Sequence, residues 1–352
     1  VDFCNIILYI SFKETVFRLE VDMISINDVA KKAGVAKSTV SKVLNNYELV
    51  SEETRLKVEK AVEELGYVPN PVAVSLSKKK YNKVGLIVDI RHNSQFVDEI
   101  SMQYLTGAFK QSKDRSVEVV TFFSSQFDHM SHEEISILLR SQRINSLIIY
   151  HLSIENQNLY KLIEEEEFYI VLVDSYLIND KTSCISVNHH KAQYDVAKKV
   201  IEENDNAKKV LYIAGGIGGY ITNERILAIR QLQQEYGFEL IIKHGDFNEV
   251  KARQIVKKHG KDVDLILCAS DLMAIGAGYA LQEMKLTKPI SGFDGIKLIG
   301  YTKLDFYTVK QDFYLKSEEA FKELFNLIDG SRGRHVLIEH KVCKINYLDV
   351  IE

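Results

Sequence analysis

The sequence predicts a small all-α head followed by an α/β core of two doubly wound lobes, and three observations carry that prediction. Residues 25–66 hold three short amphipathic stretches with helix-start signals and a glycine turn. From residue 84 onward, β-rich apolar runs alternate with amphipathic helical stretches. Two of the three prolines, Pro69 and Pro71, stand between these regions.

In the head, Ser25-Ile26-Asn27-Asp28 reads as a capping box that starts a first helix running to about Lys32. Ala33-Gly34-Val35 is the turn, because glycine enters positive φ after a helix without a steric penalty. A second helix is expected from about Lys37 to Asn45, with Val40, Val43 and Leu44 as its apolar stripe. Ser51-Glu52-Glu53-Thr54 starts a third, its acids at the positive end of the helix dipole. Val58, Ala61, Val62 and Leu65 close the small core, and Gly66 ends the helix.

Proline disfavours helix at the residue before it, so 68–70 is expected to be extended, with Asn70 capping a short helix that begins at Pro71. The domains read from these signals are an extension at 1–22, a head at 23–69, a hinge and linker at 70–81, and a core at 82–352. The apolar opening has neither a basic flank nor a small-residue cleavage site, so it is read as an addition before Met23 and expected to be disordered.

In the core, strands are expected at 84–90, 118–123, 146–151, 169–174, 209–214, 239–244, 264–269 and 289–293. Continuous apolar runs such as Val210-Leu211-Tyr212-Ile213-Ala214 suit parallel strands buried on both faces. That many strands fit two lobes better than one, with a seam near residue 180 and a return crossing near 310.

Composition narrows the function classes. The 352 residues are 46% hydrophobic and 27% charged, as in an ordinary globular chain. The net charge is −4, yet residues 23–80 hold ten Lys/Arg against seven Asp/Glu, so the head is basic and the remainder acidic. The four cysteines are scattered without metal or disulfide spacing. No run of 18 apolar residues occurs, so no membrane partner is expected and the chain is read as cytoplasmic. His129 with His132, and His189 with His190, have no third ligand at metal spacing, so surface or interface roles are expected and no metal. In Ala214-Gly215-Gly216-Ile217-Gly218-Gly219 the third glycine of a dinucleotide loop would fall at Ile221, so no cofactor is expected. No motif calls for catalysis, and the chain is not expected to be an enzyme.

Two helices joined by a tight glycine turn form a helix-turn-helix, whose second helix enters the DNA major groove. On that helix Lys37, Ser38, Ser41 and Lys42 share the face opposite the apolar stripe, and short donors and cations suit base edges and phosphates. The order Asp28-Val29-Ala30-Lys31-Lys32-Ala33-Gly34-Val35, Ser38-Thr39-Val40-Ser41-Lys42-Val43-Leu44-Asn45, Val50-Ser51, Thr54-Arg55, Val58 and Leu65-Gly66-Tyr67-Val68-Pro69-Asn70 resembles the head signature of the lactose-repressor/galactose-repressor family of bacterial transcription regulators. Looser similarity continues to about residue 330, strongest around Cys268-Ala269-Ser270-Asp271, followed by Ser291-Gly292-Phe293-Asp294-Gly295 and Thr308-Val309-Lys310-Gln311-Asp312.

The resemblance implies a periplasmic-binding-protein-like core and a homodimeric repressor of a sugar-utilisation operon. Its partners would be double-stranded operator DNA and a small-molecule effector, a sugar or sugar phosphate. It also implies roles for individual residues. Lys37, Ser38 and Lys42 fall at base-reading positions, and Thr39, Ser41 and Asn45 at phosphate positions. Tyr67 and Asn70 match contacts near the hinge, while Ala73 and Leu76 sit where the hinge helix meets the minor groove. Arg225 matches the family's ligand-binding arginine. Ligands of open α/β sheets bind at the carboxyl ends of strands, where Tyr150, Asp174, Ser270 and Asp294 are expected; Gln311 and the first-loop Phe96 complete the candidate set. An alternative within the family is a catabolite-control regulator governed by a phosphocarrier protein; a soluble sugar-binding protein is a more distant one. The chain departs from the family at Ala36, where Ser or Thr is usual, and at Asn93-Ser94-Gln95-Phe96, where Asn-Pro-Phe is common.

Overall fold

In the computed structural model, residues 25–44, 50–67, 83–88 and 99–351 are described. The chain divides into two compact units, Val1–Lys80 and Tyr81–Glu352. The first holds α1 (Ile26–Ala33), α2 (Lys37–Leu44) and α3 (Glu52–Leu65). Their apolar faces meet in one cluster of Val29, Ala30, Val40, Val43, Val58, Ala61 and Tyr67. At the start of α1 the Asp28 carboxylate accepts from both the amide and the hydroxyl of Ser25. Gly34 and Gly66 follow α1 and α3 at φ +68° and +61°, the left-handed exits that these glycines permit. An ion pair of 3.0 Å between Lys32 and Glu64 ties α1 to α3 across the surface.

The second unit contains two parallel sheets. The first lobe comprises β1 (Lys83–Val88), α4 (Glu99–Arg115), β2 (Glu118–Phe123), α5 (His132–Ser141), β3 (Ser146–Tyr150), α6 (Gln157–Glu164), β4 (Tyr169–Val173) and β5 (Thr182–Val187). The second comprises α7 (His189–Glu202), β6 (Lys209–Ala214), α8 (Tyr220–Tyr236), β7 (Glu239–His244), α9 (Glu249–His259), β8 (Leu265–Cys268), α10 (Asp271–Glu283) and β9 (Ile290–Ser291). Then follow β10 (Thr308–Lys310), α11 (Phe313–Ile328), β11 (His335–Ile338), β12 (Lys341–Cys343) and α12 (Leu348–Ile351). The six-stranded sheet has the order β11-β5-β4-β3-β1-β2, and the four-stranded sheet β7-β6-β8-β9. Helices cover both faces of each sheet, and so β3 and β8 are buried at every residue.

Two corrections to the expected topology follow. The seam lies at residue 188 instead of near 180, because β5 pairs in parallel with β4 and stays in the first sheet. β5 was not expected as a strand, since Thr-Ser-Cys-Ile-Ser-Val reads as polar. Both of its serine hydroxyls are satisfied inside: Ser183 donates to Glu323 at 2.9 Å, and Ser186 bonds the His335 ring at 2.7 Å, while the buried Thr182 hydroxyl has no partner. The chain also crosses between lobes a third time, because β11 completes the first sheet while β12 pairs with β10. The return crossing near 310 falls between β10 and α11.

Candidate functional site

In the head, the candidate site is the outward face of α2. Val40 and Val43 turn it into the core, which leaves Lys37, Ser38 and Lys42 exposed and Thr39 and Ser41 half-buried. The Ala36 carbonyl accepts from the amides of Thr39 and Val40, so Ala36 occupies the N-cap position without a side-chain acceptor. Tyr67 is 8% exposed and belongs to the head core. Asn45, Asn70, Ala73 and Leu76 lie outside the described residues.

In the core, the strands of both lobes end at one cleft, and a ring of six side chains closes across it. Asp174 follows β4, at φ +58°. Its Oδ1 accepts from Lys316 Nζ at 2.7 Å and from His189 Nε2 at 3.1 Å. Its Oδ2 accepts from Lys316 at 2.9 Å and from the Tyr104 hydroxyl at 2.9 Å. His189 Nδ1 meets an Arg225 guanidinium nitrogen at 3.3 Å, and that nitrogen lies 4.0 Å from Asp294 Oδ1. Gln311 donates to Asp294 Oδ1 at 3.0 Å and accepts from Lys316 at 2.6 Å, which completes the ring. Asp174 and Lys316 belong to the first lobe and Arg225 and Asp294 to the second. His189 and Gln311 stand at two of the three crossings.

The surroundings fix each member. The Arg225 guanidinium lies 3.5 Å from the centre of the Phe293 ring and donates to the Ala269 carbonyl, so it is held flat against the base of the second lobe. Asp294 sits at φ +123°, a conformation that disfavours an L-residue and persists only where neighbours enforce it. Here its amide bonds the Val309 carbonyl at 2.9 Å and its carbonyl accepts from the Gln311 amide at 3.2 Å. Tyr176 and Tyr220 meet at the cleft mouth, one from each lobe, with ring centroids 4.7 Å apart. The lobes touch again where Glu99, at the start of α4, accepts from the Lys297 amide at 2.9 and 3.0 Å.

Burial and pairing set the charge states. Burial pushes the Asp174 carboxyl up, but Lys316 and His189 outweigh it and hold it well below the usual range. Burial lowers His189 to about 4, against the pull of Asp174. The neutral ring carries its proton on Nε2, facing Asp174, and offers the Nδ1 lone pair to Arg225. Burial, with nearby Asp271, raises Asp294 to about 8 although Arg225 opposes the shift. Asp271 itself is raised by burial to about 6, yet it is structural: its carboxylate accepts from the Gly295 and Ile296 amides and the Thr308 hydroxyl.

Among the residues expected from sequence, Asp174, Arg225, Asp294 and Gln311 come together in the ring. Tyr150 and Ser270 do not join it. Tyr150 is 1% exposed behind Tyr104 and bonds the Ser317 hydroxyl at 2.7 Å, so it stiffens the wall of the site. Ser270 caps α10, its hydroxyl accepting from the Met273 amide at 3.3 Å. Phe96 lies outside the described residues. Tyr104, His189 and Lys316 were not anticipated. The surface or interface role expected of His189 is corrected: its side chain is 2% exposed, because it opens α7 where the chain passes between lobes. Lys316 had a readable signal, since it shares a face of α11 with Phe313, Ala320 and Leu324, all buried.

A helix-turn-helix head on a two-lobe α/β core with a cleft at the strand ends defines a class, the DNA-binding transcription regulators with a periplasmic-binding-protein-like core. Residues 25–70 match the family model described as bacterial regulatory proteins, lacI family. The chain is 25% identical to the HTH-type transcriptional regulator AscG of Escherichia coli strain K12 over 318 residues, 88% of this chain and 93% of that protein. It is 28% identical to the HTH-type transcriptional regulator RegA of Clostridium saccharobutylicum over 336 residues, 91% and 98% of the two chains. Among solved structures, the Lac repressor bound to ONPG superposes with a TM-score of 0.76 at 22% identity, covering 91% of this chain and 98% of the other. The complex of the transcriptional regulator CelR with cellobiose gives 0.66 at 22% identity, with coverage of 91% and 98%. Residues 25–70 thus form a lacI-type DNA-binding head, and the chain is a DNA-binding transcriptional regulator similar over most of its length to regulators with such heads.

Proposed function

We propose that the chain is a cytoplasmic, non-enzymatic repressor of a sugar-utilisation operon that acts as a homodimer on operator DNA and answers to a small-molecule effector. The observation that carries this reading is the polar face of α2: Lys37, Ser38 and Lys42 project from a helix anchored by Val40 and Val43, directly after the Gly34 turn. Lys37, Ser38 and Lys42 read base edges, and Thr39, Ser41 and Asn45 hold phosphates. Tyr67, Asn70, Ala73 and Leu76 serve the hinge, with Leu76 as the minor-groove wedge. The assembly is supported by the Lac repressor solved as a dimer on operator with the anti-inducer ONPF, TM-score 0.76 at 23% identity.

The effector class is a sugar or sugar phosphate. Asp174, Arg225, Asp294 and Gln311 can pair with hydroxyls, Tyr176 and Tyr220 offer ring faces at the mouth, and the CelR structure holds cellobiose. Its binding would change the lobe arrangement and so the spacing of two heads, and a coupling of about 1–3 kcal/mol suffices for regulation of 5–150-fold. DNase footprinting of a candidate operator with sugars and sugar phosphates tests this. The expected result is a protected, near-palindromic site whose half-saturation moves with one of the compounds. Protection that no compound moves would remove the effector part of the reading.

A further inference from the structure

Lys316 is the member of the ring on which its two routes between the lobes meet. It sits in the first turn of α11, its side chain fully buried, and a lysine in that position has to be paired. The ammonium donates to both oxygens of Asp174 and to the Gln311 carbonyl oxygen. Gln311 passes the link to Asp294 in the second lobe, and Asp174 passes it through His189 to Arg225. The route through Gln311 therefore begins on this first-lobe ammonium, and the same ammonium neutralises the Asp174 carboxylate from which the other route starts.

The ammonium also covers atoms that the function assigns to a ligand. Each oxygen of Asp174 already accepts two bonds, from Lys316 and His189 on one side and from Lys316 and Tyr104 on the other. Packing alone supplies no reason for a charge here. The same helix face is otherwise built from Phe313, Ala320, Phe321, Leu324 and Leu327, and replacing a buried ion pair by apolar residues is often neutral or stabilising.

We propose that Lys316 is a built-in latch: its ammonium occupies the effector position between Asp174 and Gln311 and holds the two lobes closed without a bound effector. An effector that reaches Asp174 then has to displace the ammonium, so Lys316 sets which ligands the cleft admits. The proposal rests on the reading of this cleft as the effector site, but closure itself can be measured with no ligand present.

The test is an electron-spin distance measurement on the full chain, without ligand, with nitroxides on cysteines placed at Glu155 in the first lobe and Ile217 in the second. Both positions are exposed, and Cys4 and Cys343 are replaced by serine to confine the labels. The wild-type background is expected to give one short, narrow distance distribution. Lys316→Met is expected to shift it to longer distances with loss of the short population. If that variant fails to fold, Asp174→Asn with Lys316→Met removes both charges together and is expected to open in the same way. A folded variant that keeps the short distribution, or a wild type that already shows the long one, overturns the latch. Absence of sugar binding would leave this outcome untouched and count only against the effector reading.

Discussion

The ammonium of Lys316 lies 2.7 and 2.9 Å from the two carboxylate oxygens of Asp174, and neither side chain is more than 3% exposed. A pair so placed is worth little against well-packed apolar residues, but removing one partner leaves the other buried and uncompensated.

Lys316→Met and Asp174→Asn should therefore each destabilise the core by about 3–5 kcal/mol in urea unfolding, while the double variant recovers most of that loss. Single losses that simply add in the double variant would show that the two groups are not coupled.

The pH dependence follows from Asp294 and His189. Asp294 titrates at about 8 in the fold, above the ordinary 3.8, so its contribution is complete below pH 4 and is lost as pH rises through 8. His189 titrates at about 4, below 6.5, so its contribution is present above pH 6.5 and is lost as pH falls through 4. The two slopes oppose each other between pH 4 and 6.5, and Asp271, at about 6, adds to the Asp294 slope over the lower part of that range. From pH 6.5 to 8 Asp294 acts alone among the three, and stability is expected to fall by about 2 kcal/mol. Asp294→Asn should flatten the curve there; an unchanged slope in urea midpoints from pH 6.5 to 8 would count against the raised carboxyl.

The His189 tautomer has its own signature. Nitrogen-15 spectra of the imidazole should show a neutral ring protonated at Nε2 from pH 7 down to about 5, with the transition near 4. Titration near 6.5 would mean that the ring is solvated and the link between Asp174 and Arg225 broken.

The missing cap of α2 is testable through stability and binding together. Ala36→Ser supplies an acceptor for the Thr39 amide, which already faces the Ala36 carbonyl at 2.8 Å. The head's calorimetric transition should gain about 1 kcal/mol, and operator affinity should rise with it. A stabilised head with unchanged affinity would place residue 36 away from the DNA.

Much of this organisation is legible in the sequence because single elements announce themselves locally. The head shows its caps, its Gly34 turn and the Val40–Val43 stripe within 42 residues, and the apolar runs at β3, β6 and β8 can only be strands between covering helices. The cleft is harder, since its chemistry depends on pairing over long separations. Asp174 stands out by residue type at a strand end, and Arg225 through the resemblance of its strand–loop–helix segment. Lys316 meets Asp174 across 142 positions, and His189 had nothing in its neighbourhood to distinguish it from a surface histidine. β5 was concealed for the same reason: its serine hydroxyls look solvent-facing until Glu323 and His335 arrive from α11 and β11.

The most direct measurement of the central claim is genome-wide footprinting of the wild-type chain beside a Ser38→Ala, Lys42→Ala variant, followed by anisotropy titration on the recovered sites and on scrambled DNA. Wild type should protect a few discrete, near-palindromic sites and bind them at least about 10³-fold more tightly than scrambled sequence. The variant should lose that ratio while keeping its fold. Uniform, weak protection by wild type, or an undiminished ratio in the variant, would contradict sequence-specific reading by α2.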